Sequence, residues 1–116
     1  MRTSANDLHG ARASDVKVTD DELTVDLVDG RRLAVPLAWY PRLLHGDRQE
    51  RTGWRLIGGG VGIHWPALDE DISVEGLIAG RQSGETQISL KRWLEARASI
   101  RPNRRMQSTA RKARRG

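Results

Sequence analysis

ELTVDLVDGRRLAVPL, residues 22–37, decides the fold. Leu23, Val25 and Leu27 alternate with Thr24 and Asp26, and Leu33, Val35 and Leu37 resume the alternation after Asp29-Gly30. A period of two places each aliphatic set on one face of a strand. An Asp-Gly pair between two such runs is a strong short-range hairpin signal. It predicts a type I′ turn, with positive φ at both central residues. Upstream, Val16 and Val18 alternate with Asp15, Lys17 and Thr19, and Thr19-Asp20-Asp21-Glu22 reads as a turn. The prediction is a three-stranded meander, aliphatic on one side and charged on the other. Such a sheet must be covered to persist in water.

The cover is expected next in the chain. Pro36 ends the third strand, and residues 38–45 read as a short helix with Pro41 in its first turn. Trp39, Tyr40, Leu43 and Leu44 fall at helical spacing, with Gly46 as the residue that ends the helix. Residues 47–52 form a charged connector, helix or loop. Residues 54–57 and 61–64 read as a second short hairpin around Gly58-Gly59-Gly60, closed by Trp65-Pro66. Asp71 or Ser73 is expected to cap a helix over 74–79 that Gly80 stops. After a polar linker, Thr86 or Ser89 caps a last helix carrying Leu90, Trp93 and Leu94 on one stripe. That stripe either packs on the sheet or faces a partner. The organisation expected is a disordered arm over 1–13, an α+β domain over 14–80, a helix over 85–98 and a disordered basic tail over 99–116.

Composition bounds the function. A chain of 116 residues has room for one domain with a small core. The aromatic residues are Trp39, Trp54, Trp65, Trp93 and Tyr40, so most are expected to anchor that core. The chain has no Cys, which removes disulfides, thiolate zinc sites and cysteine nucleophiles and suits a reducing, cytoplasmic setting. No apolar run reads as a secretory signal or a membrane span. The net charge of +5 is unevenly placed: residues 1–96 sum to −3 and residues 97–116 to +8.

The motifs that suggest chemistry have plainer readings. GGGVG at 58–62 lacks the Gly-Lys-Ser/Thr of a phosphate loop and the third glycine of a dinucleotide fingerprint, and reads as a turn. Asp69-Glu70-Asp71 with His64 upstream does not converge as hard-metal ligands would, and reads as helix-capping acids. His9, His45 and His64 have no nucleophile elbow beside them. No catalytic residue, metal or cofactor is therefore expected. Trp39-Tyr40-Pro41-Arg42 and Trp65-Pro66 read as core, or as a protein contact if exposed. Arg42 is placed to pair with Asp69 or Asp71.

The stretches DGRRLAVPLAWYPRLL (29–44) and GIHWPALDEDISVEGLIAG (62–80) resemble a bacterial family known only as a domain of unknown function, family 2442. The resemblance spans a little over half the chain. It implies a small α+β fold and brings no activity or catalytic residues. Members of the family are often encoded beside another small protein, a layout like that of toxin–antitoxin pairs.

Together these readings predict a small antiparallel sheet, a three-stranded meander plus a second short hairpin, covered by short helices. The function expected is a non-catalytic binding module, an antitoxin-like partner of a co-encoded small protein. Its candidate protein contacts are Trp39, Tyr40, Arg42, Trp65 and Trp93. The alternative is a nucleic-acid-binding accessory protein acting nonspecifically through Arg101, Arg104, Arg105, Arg111, Lys112, Arg114 and Arg115. No aromatics are interleaved there to stack on bases.

Overall fold

A computed structural model describes residues 11–100. The fold is α+β, built on two small antiparallel sheets. The meander is there: β1 (Ala13–Val18), β2 (Glu22–Leu27) and β3 (Arg32–Pro36) lie in the order β1-β2-β3. Leu23 pairs with Val35 and Val25 with Leu33, so the aliphatic sets share one face. Leu23, Val25, Leu27 and Val35 are buried there.

The hairpin at Asp29-Gly30 forms, but not through a type I′ turn. Among the described residues, Asp69 is the one non-glycine with positive φ, so Asp29 does not have it, whereas Gly30 has φ of +97°. The loop holds three residues, with the Leu27 N–H donating to the Arg31 carbonyl and the Gly30 N–H to the Leu27 carbonyl. A turn followed by a single left-handed glycine also matches strand twist. The Asp29 carboxylate favours it by accepting from the Arg31 backbone N–H at 3.0 Å.

The cover differs in detail from one continuous helix. A 3₁₀ turn at Leu37–Trp39 precedes α1 (Pro41–His45), and α2 (Arg48–Thr52) follows. The connector over 47–52 is thus helical, closed by a reciprocal pair in which Asp47 accepts from the Glu50 N–H and Glu50 accepts from the Asp47 N–H. Gly46 does not end α1 by a left-handed turn, since its φ is −76°. A Cβ at this position would stand 2.8 Å from Leu68 Cδ1, so the glycine leaves room for the buried Leu68 side chain, which would otherwise have to shift.

The second sheet is β4 (Arg55–Ile57), β5 (Gly62–Trp65) and β6 (Glu70–Ser73), in that order. The hairpin expected here gains a third strand. The acids Glu70 and Asp71 sit in β6 and not at a helix start; α3 (Val74–Ile78) begins after them, capped by Ser73, whose hydroxyl accepts from the Gly76 N–H at 2.8 Å. Positive φ at Gly58, Gly59 and Gly60 makes the β4–β5 turn. Trp65, Ile63, Leu68 and Leu43 are fully buried, each apolar side chain contributing about 1.5–3 kcal/mol relative to exposure.

The chain divides between Gly84 and Glu85 into two units. The second contains α4 (Gln87–Ile100), where the Thr86 hydroxyl accepts from the Ser89 N–H at 3.0 Å and the Arg97 guanidinium lies 4.7 Å from the Trp93 ring centre. Of the arm expected over 1–13, residues 1–10 lie outside the described residues, while Ala11 is buried and Ala13 opens β1; of the tail expected over 99–116, residues 101–116 lie outside them, while 99 and 100 belong to α4. No helix among the described residues is long and apolar enough to cross a membrane.

Candidate functional site

A cleft of about 210 Å³ runs along β6. One wall is the strand itself, Glu70 to Ser73. The other is the segment Arg81 to Gly84, with Tyr40 and Gly76 completing the lining. Two hydrogen bonds fasten that segment to the aromatic motif. The Tyr40 hydroxyl donates to the Arg81 carbonyl at 2.9 Å, and the Ser83 N–H donates to the Trp39 carbonyl at 3.0 Å. A third ties the Arg81 N–H to the Gly76 carbonyl at 2.9 Å.

The electrostatics of the cleft centre on Tyr40 and Glu70. Burial pushes the Tyr40 phenol above its ordinary value, and the nearby Glu70 carboxylate adds to the shift by opposing a phenolate. Glu70 is itself buried. Beside it, Arg42 Nη1 donates to the Asp69 carbonyl at 3.2 Å and stands 3.4 Å from the Asp69 carboxylate. The pairing expected of Arg42 is therefore made, and it joins α1 to the turn before β6. On the outer face of the sheet the His64 Nδ1 meets the Asp71 carboxylate across the β5–β6 ladder.

The direction of the β6 backbone follows from its register. Gly62 pairs with Ser73, Ile63 with Ile72, His64 with Asp71 and Trp65 with Glu70. The Val74 N–H donates to the Val61 carbonyl at 3.0 Å, which makes that pair a hydrogen-bonded one. Antiparallel pairs alternate, so Ile72 and Glu70 bond to β5 while Asp71 and Ser73 point their N–H groups away from it. On that outward side, among the described residues, no backbone group bonds the Asp71 N–H, the Asp71 carbonyl or the Ser73 N–H.

The residues expected at a protein contact are distributed unequally. Tyr40 lines the cleft, Trp39 braces its wall and remains half-buried, and Arg42 holds the turn beside it. Trp65 is 0% exposed and donates its indole N–H to the Arg51 carbonyl at 2.9 Å. It anchors the second sheet from within, so it presents nothing to a partner. Trp93 belongs to the other unit, stacked with Arg97. The seven basic residues assigned to nucleic acid lie outside the described residues. Of the histidines, His45 is exposed, His64 is paired with Asp71, and His9 lies outside the described residues. Among the described residues no three His, Asp or Glu side chains gather as metal ligands would.

Sequence reasoning missed the β6 edge and the role of residues 81–84, which read as a linker. The signal was Ile72 and Val74 alternating with Asp71 and Ser73 a hairpin's length after Trp65. Three adjacent acids masked it, because Asp and Glu are poor strand formers in isolation.

A family model described as a protein of unknown function (DUF2442) matches residues 13–83, more than half of the chain. A crystal structure of a protein of unknown function from Rhodospirillum rubrum superposes with a TM-score of 0.56 at 28% identity, covering 69% of this chain and 96% of that one. The solution structure of an uncharacterised protein from Chromobacterium violaceum gives a TM-score of 0.56 at 16% identity, covering 71% and 82%. The second likeness is one of fold alone. No curated protein matches the chain.

Proposed function

We propose that this chain, which belongs to the DUF2442 family of proteins of unknown function, is a non-catalytic binding module that engages a protein partner through the cleft beside β6. An antitoxin-like role toward a co-encoded small protein, in a bacterial cytoplasm, is the specific form of the proposal. The observation that carries it is the construction of the cleft. Its wall over residues 81–84 is braced by the Tyr40 hydroxyl donating to the Arg81 carbonyl and by the Ser83 N–H donating to the Trp39 carbonyl, while the facing strand leaves backbone groups unused. The polar side chains nearby serve the fold: Arg42 holds Asp69, and Ser73 caps α3. Concave, preformed and lined by a few placed polar groups, such a cleft suits recognition. Co-expression with the protein encoded beside it, followed by size exclusion and a growth assay, tests the reading. A stable complex and relief of any toxicity are expected; no complex and no relief would count against it.

The charge distribution favours a second reading, nucleic-acid contact through residues 97–116, which sum to +8. It requires an affinity for duplex DNA that falls with salt at a log–log slope of roughly −0.9 per phosphate neutralised. Binding unchanged by deletion of residues 101–116 would eliminate it.

A further inference from the structure

We infer that β6 accepts an extended, proline-free, basic segment of a partner protein as an added strand. The inference rests on the binding-module reading and names its mode. An edge strand offers main-chain donors and acceptors to any chain that can lie beside it, and peptide recognition by strand addition uses them directly. β6 qualifies by geometry. The Asp71 N–H and carbonyl and the Ser73 N–H turn away from β5 at the two-residue spacing of a ladder, and they open on the cleft. A segment laid there would meet Asp71 through both main-chain groups, which a proline opposite it could not reciprocate.

The strand is short, and two features limit what can occupy it. α3 begins at Val74, so the ladder ends at Ser73. At the other end Asp69 turns the chain with φ of +51°. An added strand therefore gains few main-chain bonds and depends on side-chain complementarity for the rest. Asp69 is held by Arg42, which leaves the Asp71 carboxylate as the exposed charge carried by β6 itself. The Asp71 side chain remains 72% exposed even with His64 against it. A basic segment answers that charge, and an acidic one does not. A second copy of this chain is disfavoured for the same reason. Paired β6 to β6 it would bring the same acidic run to the interface, and like charges facing one another across a ladder are destabilising.

Amide hydrogen exchange on the full chain, resolved by residue, tests this. In the free chain the Asp71 and Ser73 amides should exchange at least about tenfold faster than the Ile72 amide, which is in the ladder. The probes are two end-blocked pentapeptides built on Thr and Val, one carrying two Lys and the other two Glu, together with the Lys peptide N-methylated at its central residue. Saturation with the Lys peptide should slow exchange at Asp71 and Ser73 by about tenfold, with the Glu and N-methylated peptides giving less than about twofold. Asp71→Lys, which leaves the outward main chain in place, should abolish the preference for the Lys peptide.

Edge amides already as slow as Ile72 in the free chain would overturn the inference. So would no added protection from the Lys peptide, or equal protection from both charges. Protection that grows with protein concentration alone would replace the basic segment with a second copy. The partner reading fails separately: a complex that forms with the edge amides unchanged removes strand addition and keeps the partner. Peptide protection without any complex does the reverse.

Discussion

At the scale of single residues, the glycines that matter are those whose missing side chain makes room for something else. Gly60 has φ of +112°, and a Cβ there would stand 2.6 Å from the Ala13 carbonyl oxygen. Gly30 has φ of +97°, but its Cβ would meet nothing within 4 Å. Both alanine variants carry backbone strain of about 1–2 kcal/mol, and Gly60→Ala adds a clash with main chain that cannot easily retreat. Urea unfolding should therefore rank Gly60→Ala as clearly less stable than Gly30→Ala. Tyr40 offers a second test, because it is the one tyrosine and its phenolate absorbance reports a single group. Burial first, and Glu70 second, raise its folded pKa above the unfolded value near 10. Below the unfolded value the phenol is neutral in both states, and its contribution to stability is complete. As pH rises past that value the unfolded chain ionises more readily, and stability falls until the folded phenol also titrates. A spectrophotometric titration should place ionisation of the native chain above that of the urea-unfolded chain. Arg42 was legible at this scale, since its pairing with Asp69 follows from a motif and a charge. Gly46 was not, because its reason is Leu68, distant in sequence and adjacent in space.

Among elements, the short helices are held by side chains that reach their ends. Arg51 on α2 donates from Nε to the Leu43 carbonyl at 2.9 Å, which the Gly46 N–H also reaches, and from Nη2 to the Leu44 carbonyl at 2.8 Å, so both groups at the end of α1 are capped by one side chain. Its Nη1 lies 3.0 Å from Asp20 in the β1–β2 turn, and its own carbonyl receives the Trp65 indole N–H. One guanidinium thus joins two helices to the meander. Arg51→Ala should cost about 1–3 kcal/mol by removing the donor to the Leu44 carbonyl and the second donor to the Leu43 carbonyl, and Arg51→Lys should recover little, since an ammonium cannot span the fork. Thermal unfolding of the two variants against the parent chain measures this. The meander was legible because β2 and β3 alternate over their whole length, β1 does so from Asp15 to Val18 past an irregularity at Ala13–Asp15, and the turns are polar. β6 was not, because its stability comes from Ile72 and Glu70 bonding to β5, a tertiary term that outweighs the weak strand propensity of Asp and Glu. The turn at Asp29-Gly30 was legible as a hairpin and not as a type. Turn type depends on one φ angle, and the Asp29–Arg31 hydrogen bond sets it.

At the scale of the molecule, what could be read from sequence is the uneven placement of charge. Residues 1–96 sum to −3 and residues 97–116 to +8, a boundary that falls inside α4 and not at the division between the units after Gly84. The cleft was out of reach of such reading, because it forms where Tyr40, distant in the chain, meets β6 and residues 81–84. Its use for recognition is the claim on which the functional account depends. Gly84 gives a way to block it without disturbing the fold: it lines the cleft, and a Cβ built there meets nothing within 4 Å. The direct measurement is the Kd of the co-expressed partner for the parent chain and for Gly84→Trp, with unfolding midpoints recorded alongside. Affinity at least about tenfold weaker, a loss of about 1.4 kcal/mol, with stability within about 0.5 kcal/mol of the parent, is the expected result. Equal affinity for both chains would contradict it.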